Sequence, residues 1–190
     1  SDLDTETLYD RVLAEMISMT GSRYAFLGFP NADESVVTIH SWSQQTRGDC
    51  RMPGKTMEYA VATAGLLGEA VRSGRPLIVN DYSAERDGKK GIPEGHIELQ
   101  RVMIVPIRNG GRTVLLSAVA NKEKEYTPED AAQLNGFLTS INVVVEKKKA
   151  EDALKQSREE LQRLSSELLT AQETERMRIS HELHDELGQA

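Results

Sequence analysis

The chain is poor in cysteine, in excess basic charge and in long apolar runs, and its last quarter is nearly without proline and glycine. Cys50 is the only cysteine, so no internal disulfide can form. With no basic, apolar leader at the start, the expected compartment is the reducing cytoplasm. The longest apolar stretches, Val102 to Ile107 and Val114 to Ala120, fall far short of the roughly 18–20 residues that a bilayer span requires. No membrane span is expected. Acidic residues outnumber basic ones by 30 to 23, a formal charge of −7, which argues against sequence-independent binding to a nucleic-acid backbone. No direct nucleic-acid contact is expected. What the chain does have is 38% apolar residues in 190 positions, enough for one ordinary domain and some extra length, which excludes wholesale disorder.

The loss of breakers divides the chain near Glu146. All six prolines lie at or before Pro128, and Gly188 is the only glycine in the last 45 residues. From Glu146 onward 19 of 45 residues are charged, against 34 of the preceding 145, so this tail reads as one long helix. Leu154, Ser157, Leu161, Leu164, Leu168 and Ala171 alternate steps of three and four, the spacing that winds two helices around a common seam, and a parallel homodimer is expected. Beyond Ala171 the apolar positions Ile179, Leu183 and Leu187 leave that register, so the packing geometry is expected to change there.

The front portion alternates helix and strand. Leu8, Val12, Leu13, Met16 and Ile17 form a helical stripe within Leu3 to Met19, ended by Gly21. Tyr24 to Phe29 and Val36 to Trp42 read as a hairpin across a turn-rich link. A loop around Gly48 to Gly54, a helix over Val61 to Arg72 and a short strand from Pro76 to Asn80 follow. Arg101 to Arg108 and Thr113 to Asn121 read as a second hairpin turning on Asn109, Gly110 and Gly111. Thr127, Pro128 and Asp130 start the long helix with a cap, a proline at the first helical position and an acid in the first turn. The expectation is an α+β fold, an antiparallel sheet with flanking helices packed on one face, followed by a long coiled-coil helix.

The last sixteen residues, Glu175-Arg-Met-Arg-Ile-Ser-His-Glu-Leu-His-Asp-Glu-Leu-Gly-Gln-Ala190, resemble the phosphoacceptor box of histidine kinases related to the nitrate sensors and the desaturase thermosensor. Ser180 and His181 stand where that box usually has alanine and arginine. The resemblance implies phosphorylation of His184, with phosphate passed on to an aspartate of a response regulator. An imidazole with a pKa of about 6.5 is readily neutral and nucleophilic at pH 7, and the neighbouring Asp185 can orient or deprotonate its other nitrogen. Gln189, four residues after Asp185, is implied to position water for hydrolysis of the regulator's phosphoaspartate. His181 is a second imidazole close by. The only approach to a phosphate-binding loop is Gly54-Lys55-Thr56, whose earlier glycine is out of place by one residue and which Pro53 interrupts. ATP and Mg are therefore expected to come from a catalytic domain absent from this chain, which ends six residues past His184 and reads as a fragment without kinase turnover of its own.

The front 145 residues resemble a GAF domain, a small-molecule sensing module found before such kinases. The element order carries the resemblance, with Asn80-Asp81-Tyr82 and the segment Asn121, Lys122, Tyr126, Asp130. That segment is similar to the Asn-Lys-Phe-Asp-Glu signature of cyclic-nucleotide GAF domains. Tyr126 replaces its phenylalanine and Ala131 its last glutamate, departures that count against nucleotide binding, and a Lys122–Asp130 pair would fasten the last strand to the exit helix. Residues 1–145 are thus expected to form the sensor, 146–174 a coiled-coil signalling helix, and 175–190 the start of a dimerisation and histidine-phosphotransfer domain. The GAF ligand is unknown. Trp42, Tyr59, Tyr82 and Met103 could wall an apolar pocket and 87–95 could serve as its lid. Cys50 could attach a linear tetrapyrrole, and His40 or His96 could ligate haem or another metal, although each histidine is isolated and reads first as structural. The reading that competes with a kinase is a non-catalytic dimeric scaffold that binds a small ligand.

Overall fold

A computed structural model describes residues 5–49, 57–85 and 96–187. In chain order the elements are α1 (Thr5–Thr20), β1 (Tyr24–Pro30), β2 (Val36–Trp42), α2 (Gln44–Asp49), β3 (Met57–Ala60), α3 (Leu66–Ser73), β4 (Leu77–Val79), β5 (Val102–Asn109), β6 (Arg112–Ala120) and α4 (Pro128–Leu187). The six strands form one sheet in the order β3-β2-β1-β6-β5-β4, and every adjacent pair is antiparallel. Two compact units result, Ser1–Ser140 and Ile141–Ala190.

The local chemistry accounts for most of this. The β5–β6 hairpin closes on Gly110 and Gly111, both at positive φ, where a side chain would be strained and the turn matches the twist of its strands. At the start of α4 the Thr127 N–H donates to Asp130 Oδ2 at 2.9 Å and the Asp130 N–H donates to Thr127 Oγ1 at 3.3 Å, a reciprocal cap that satisfies N–H groups the helix cannot.

Three elements differ from expectation. Gln44–Asp49 forms the short helix α2 where no helix was expected. β3 pairs with β2, Val36 opposite Ala60 and Ile39 opposite Met57, where no strand was expected. The helix expected from Val61 begins only at Leu66, because residues 61–65 turn away from β3 and Gly65 holds φ at 58°. Helices also cover both faces of the sheet instead of one. On β1, alternate side chains point to opposite faces. The face bearing Tyr24 packs with Val37, Ile104, Leu116 and Ala118 against Leu66, Ala70 and Val71 of α3. The other face carries Phe29, whose ring lies 5.5 Å from that of Tyr9 on α1, and α1 runs against β1, β2 and β6. Leu13, Met16, Leu27, Met103, Val105, Leu134 and Leu138 are almost fully buried, and each such side chain contributes about 1.5–3 kcal/mol relative to exposure.

Candidate functional site

The α3 face of the sheet is not filled. Small side chains at Ala118 and Ala120 of β6, opposite the larger Phe26 and Tyr24 of β1, leave a cavity of about 280 Å³. Tyr59, Leu66, Leu67, Tyr82, His96, Ile97 and Leu99 complete its walls. The Phe26 and Trp42 rings sit 5.3 Å apart and tilted by 55°, so one wall offers two aromatic faces set at an angle, which suit apolar molecules. Trp42, Tyr59 and Tyr82 therefore stand where the sequence reading put them. Met103 does not: it is wholly buried on the opposite face, and its neighbours Val102 and Ile104 line the cavity instead.

Among the described residues the polar side chains of the lining are those of Tyr24, Thr46, Tyr59, Thr63, Tyr82 and His96. The Tyr24 hydroxyl donates to Asp49 Oδ2 at 2.8 Å, and the same oxygen accepts from Arg23 at 2.9 Å and Gln45 at 3.3 Å. Burial and then the Asp49 bond push the Tyr24 hydroxyl pKa up. The hydrogen bond from Tyr24, followed by that from Gln45, holds the Asp49 carboxyl below the usual range. Burial raises Tyr82 as well. Asp49 escaped the sequence reading because its partner is 25 residues away and joined only by the fold.

His96 is the histidine that meets the cavity. Its Nδ1 lies 2.8 Å from the Ile97 carbonyl oxygen; a carbonyl can only accept, so the bond needs a proton on Nδ1, and in that neutral tautomer Nε2 is the acceptor nitrogen. A ring fixed this way suits acceptance of a hydrogen bond or ligation of a metal centre. His40 lies on the other face, exposed and edge-on to Phe29 at 5.5 Å. The two histidines are not brought together, and among the described residues no group of three or more His, Cys, Asp or Glu is arranged to hold a metal ion. Cys50, Gly54-Lys55-Thr56 and the segment 87–95 lie outside the described residues.

Around the exit helix the structure brings together the residues singled out for a fastening role. Lys122 Nζ donates to Asp130 Oδ2 at 2.7 Å, with both side chains mostly buried. Burial works against ionisation of Asp130, but the Lys122 and Thr127 bonds outweigh it and hold the carboxyl below its ordinary value. Tyr126 is buried, its hydroxyl 2.7 Å from Ser22 Oγ, and burial pushes its pKa up to about 12.

The phosphoacceptor box falls on the last turns of α4, whose helix extends to Leu187. The backbone of His184 and Asp185 is therefore helical; the placement of their side chains, and Gln189 altogether, lie outside the described residues. The leucines of the expected seam are open: Leu154, Leu161, Leu164 and Leu168 are 71%, 65%, 43% and 66% exposed. Glu175 accepts two bonds from Arg178, at 2.9 and 2.7 Å, which lower its pKa. No described helix is long and apolar enough to cross a membrane.

Comparison with known proteins decides the family: residues 2–146 match the GAF domain. The chain belongs to the GAF domain family. Among curated proteins, the methyl sulfide methyltransferase-associated sensor of Methanosarcina acetivorans is 38% identical over 154 residues, which are 81% of this chain but 15% of that protein. The fold agrees with solved GAF domains. The second GAF domain of DevS from Mycobacterium smegmatis superimposes with a TM-score of 0.58 at 15% identity, covering 80% of this chain and 99% of that one. The GAF domain of a phosphoenolpyruvate-protein phosphotransferase from Coxiella burnetii gives 0.61 at 15% identity, covering 79% and 89%. The fold is thus a GAF-like antiparallel sheet with flanking helices and a long C-terminal helix.

Proposed function

We propose that this chain is the sensory and phosphoacceptor portion of a cytoplasmic two-component sensor histidine kinase. A small molecule in the GAF cavity biases the helix leading to His184. His184 attacks the γ-phosphorus of an ATP-Mg complex held by a catalytic domain elsewhere in the full-length protein, ADP leaves, and the phosphoryl group passes to a response-regulator aspartate. Asp185 orients or deprotonates the imidazole, and Gln189 positions water for the regulator's dephosphorylation. Residues 1–145 sense, 146–174 signal, and 175–190 begin the dimerisation and phosphotransfer domain.

The observation that carries this reading is the extent of α4, Pro128–Leu187, which puts the cap bonded to the GAF domain and the Glu-Leu-His-Asp box on one helix. Its leucine seam, exposed within one chain, gains burial against a second copy, at roughly 25 cal/mol per Å². The 38% identical relative is itself named a sensor. The cavity suits a planar, largely apolar ligand that stacks on one of the Phe26 and Trp42 rings and meets the other at an angle. Such a ligand meets His96 Nε2 with a hydrogen-bond donor or with the open position of a metal centre, and an absorption spectrum of the purified protein tells these apart.

A non-catalytic dimeric ligand-binding scaffold draws on the same seam and cavity. The two readings separate when the full-length protein is incubated with radiolabelled ATP and Mg. Label that is lost in His184→Gln and kept in His181→Ala supports phosphotransfer. Label that survives in His184→Gln defeats the site assignment, and no label in any form favours the scaffold.

A further inference from the structure

Two stretches of the cavity wall are tied to the seven residues, 121–127, that join β6 to α4, and each tie runs through one asparagine. Asn80 follows β4 and precedes Tyr82, which lines the cavity. Its side-chain amide pairs at two points with the backbone of Tyr126: Nδ2 donates to the Tyr126 carbonyl at 3.0 Å and Oδ1 accepts from the Tyr126 N–H at 2.8 Å. Asn121 opens the connection at a φ of 59°. Its Oδ1 accepts from the Gln100 N–H at 2.8 Å, and its Nδ2 donates to the Glu98 carbonyl at 2.8 Å, bracketing Leu99 of the cavity wall. The two wall stretches also hold one another, because the Tyr82 N–H donates to the Gln100 carbonyl at 2.9 Å. From Tyr126 the next residue is Thr127, the cap of α4.

We propose that Asn80 and Asn121 couple the state of the cavity wall to the first turns of α4. Side-chain amides that pair with backbone at two points fix position as well as distance, so a displacement of Tyr82 or Leu99 is handed on to Tyr126 and Asn121 before it can be absorbed by a flexible link. The proposal rests on the cavity as the sensory site. Its test needs neither a ligand nor phosphotransfer, so a failed coupling and a failed kinase reading are distinguishable. Spatial connection alone does not establish coupling; a double-mutant cycle does.

The measurement is amide hydrogen exchange in the full chain, at Ala131 to Leu134 of α4. Tyr82→Ala, which empties part of the wall, is expected to speed exchange there by about fivefold, the lower end of ordinary coupling between sites. The same change made in Asn80→Ala, or in the isosteric Asn80→Asp should Asn80→Ala fail to fold, is expected to have less than half that effect. Asn121→Gly accepts the positive φ while deleting the side-chain bonds, and it should uncouple Leu99→Ala from α4 in the same way. Equal acceleration by the wall substitutions with and without the asparagines would overturn the proposal, as would no response of α4 to either wall substitution in the otherwise unchanged chain.

Discussion

The hydroxyls of Tyr126 and Ser22 lie 2.7 Å apart, joining the residue that precedes the cap of α4 to the turn that follows α1, 104 positions earlier in the chain. Ser22 Oγ in turn is 2.6 Å from Thr20 Oγ1, which donates to the Met16 carbonyl at 2.6 Å. The chain of hydroxyls lets a buried tyrosine keep its polar end satisfied where phenylalanine would leave Ser22 with Thr20 alone.

Tyr126→Phe is therefore expected to cost about 1 kcal/mol, the net worth of one such bond, and to lower Tm by roughly 3 °C. The hydroxyl pKa is raised in the folded state to about 12, so the advantage of tyrosine is full below its unfolded value of about 10 and fades as pH rises toward the folded one. Thermal melts of both forms should converge as pH rises above about 10 and then cross, with phenylalanine the more stable at higher pH.

Asp130 gives the opposite sign. Its folded pKa is depressed, so its contribution is present above the unfolded value of about 3.9 and is lost as pH falls through the folded one. Asp130→Asn should cost about 1.5–3 kcal/mol at neutral pH, the range for hydrogen bonds to charged groups, and the two urea-unfolding curves should merge in acid.

Gly68 lies within α3, and a methyl group there would run into the Val61 carbonyl, which accepts from Arg72 at 2.6 Å. Helix propensity alone favours Gly68→Ala by about 1 kcal/mol. The backbone clash should outweigh it, at about 1–3 kcal/mol for overpacking, so chemical denaturation is expected to show net destabilisation.

Leu161→Glu with Leu168→Glu places like charges along the exposed seam. Light scattering should report a dimer for the unchanged chain and a monomer for the double variant; a dimer in both would move the interface elsewhere.

What the residues reveal by themselves tracks the range of the forces involved. The Gly110-Gly111 turn and the Thr127-Pro128-Asp130 cap are local chemistry, and both stand as expected. β3 was hidden because Met57–Ala60 is short and gains its identity only from pairing with Val36–Ile39. Met103 was misplaced by one residue of strand phase, which reverses the face. The cavity's aromatic walls were legible as residue types, whereas the Tyr24–Asp49 bond spans 25 positions and depends on a neighbour that only the folded chain supplies.

The central claim is that the cavity governs phosphorylation of His184, and the most direct measurement compares autophosphorylation rates of the full-length protein with and without Tyr82→Ala, native mass spectrometry recording what each form retains. The account predicts loss of the retained molecule together with a change in rate of about fivefold or more, the scale of an ordinary coupling free energy. Identical rates from a loaded and an emptied cavity would contradict it.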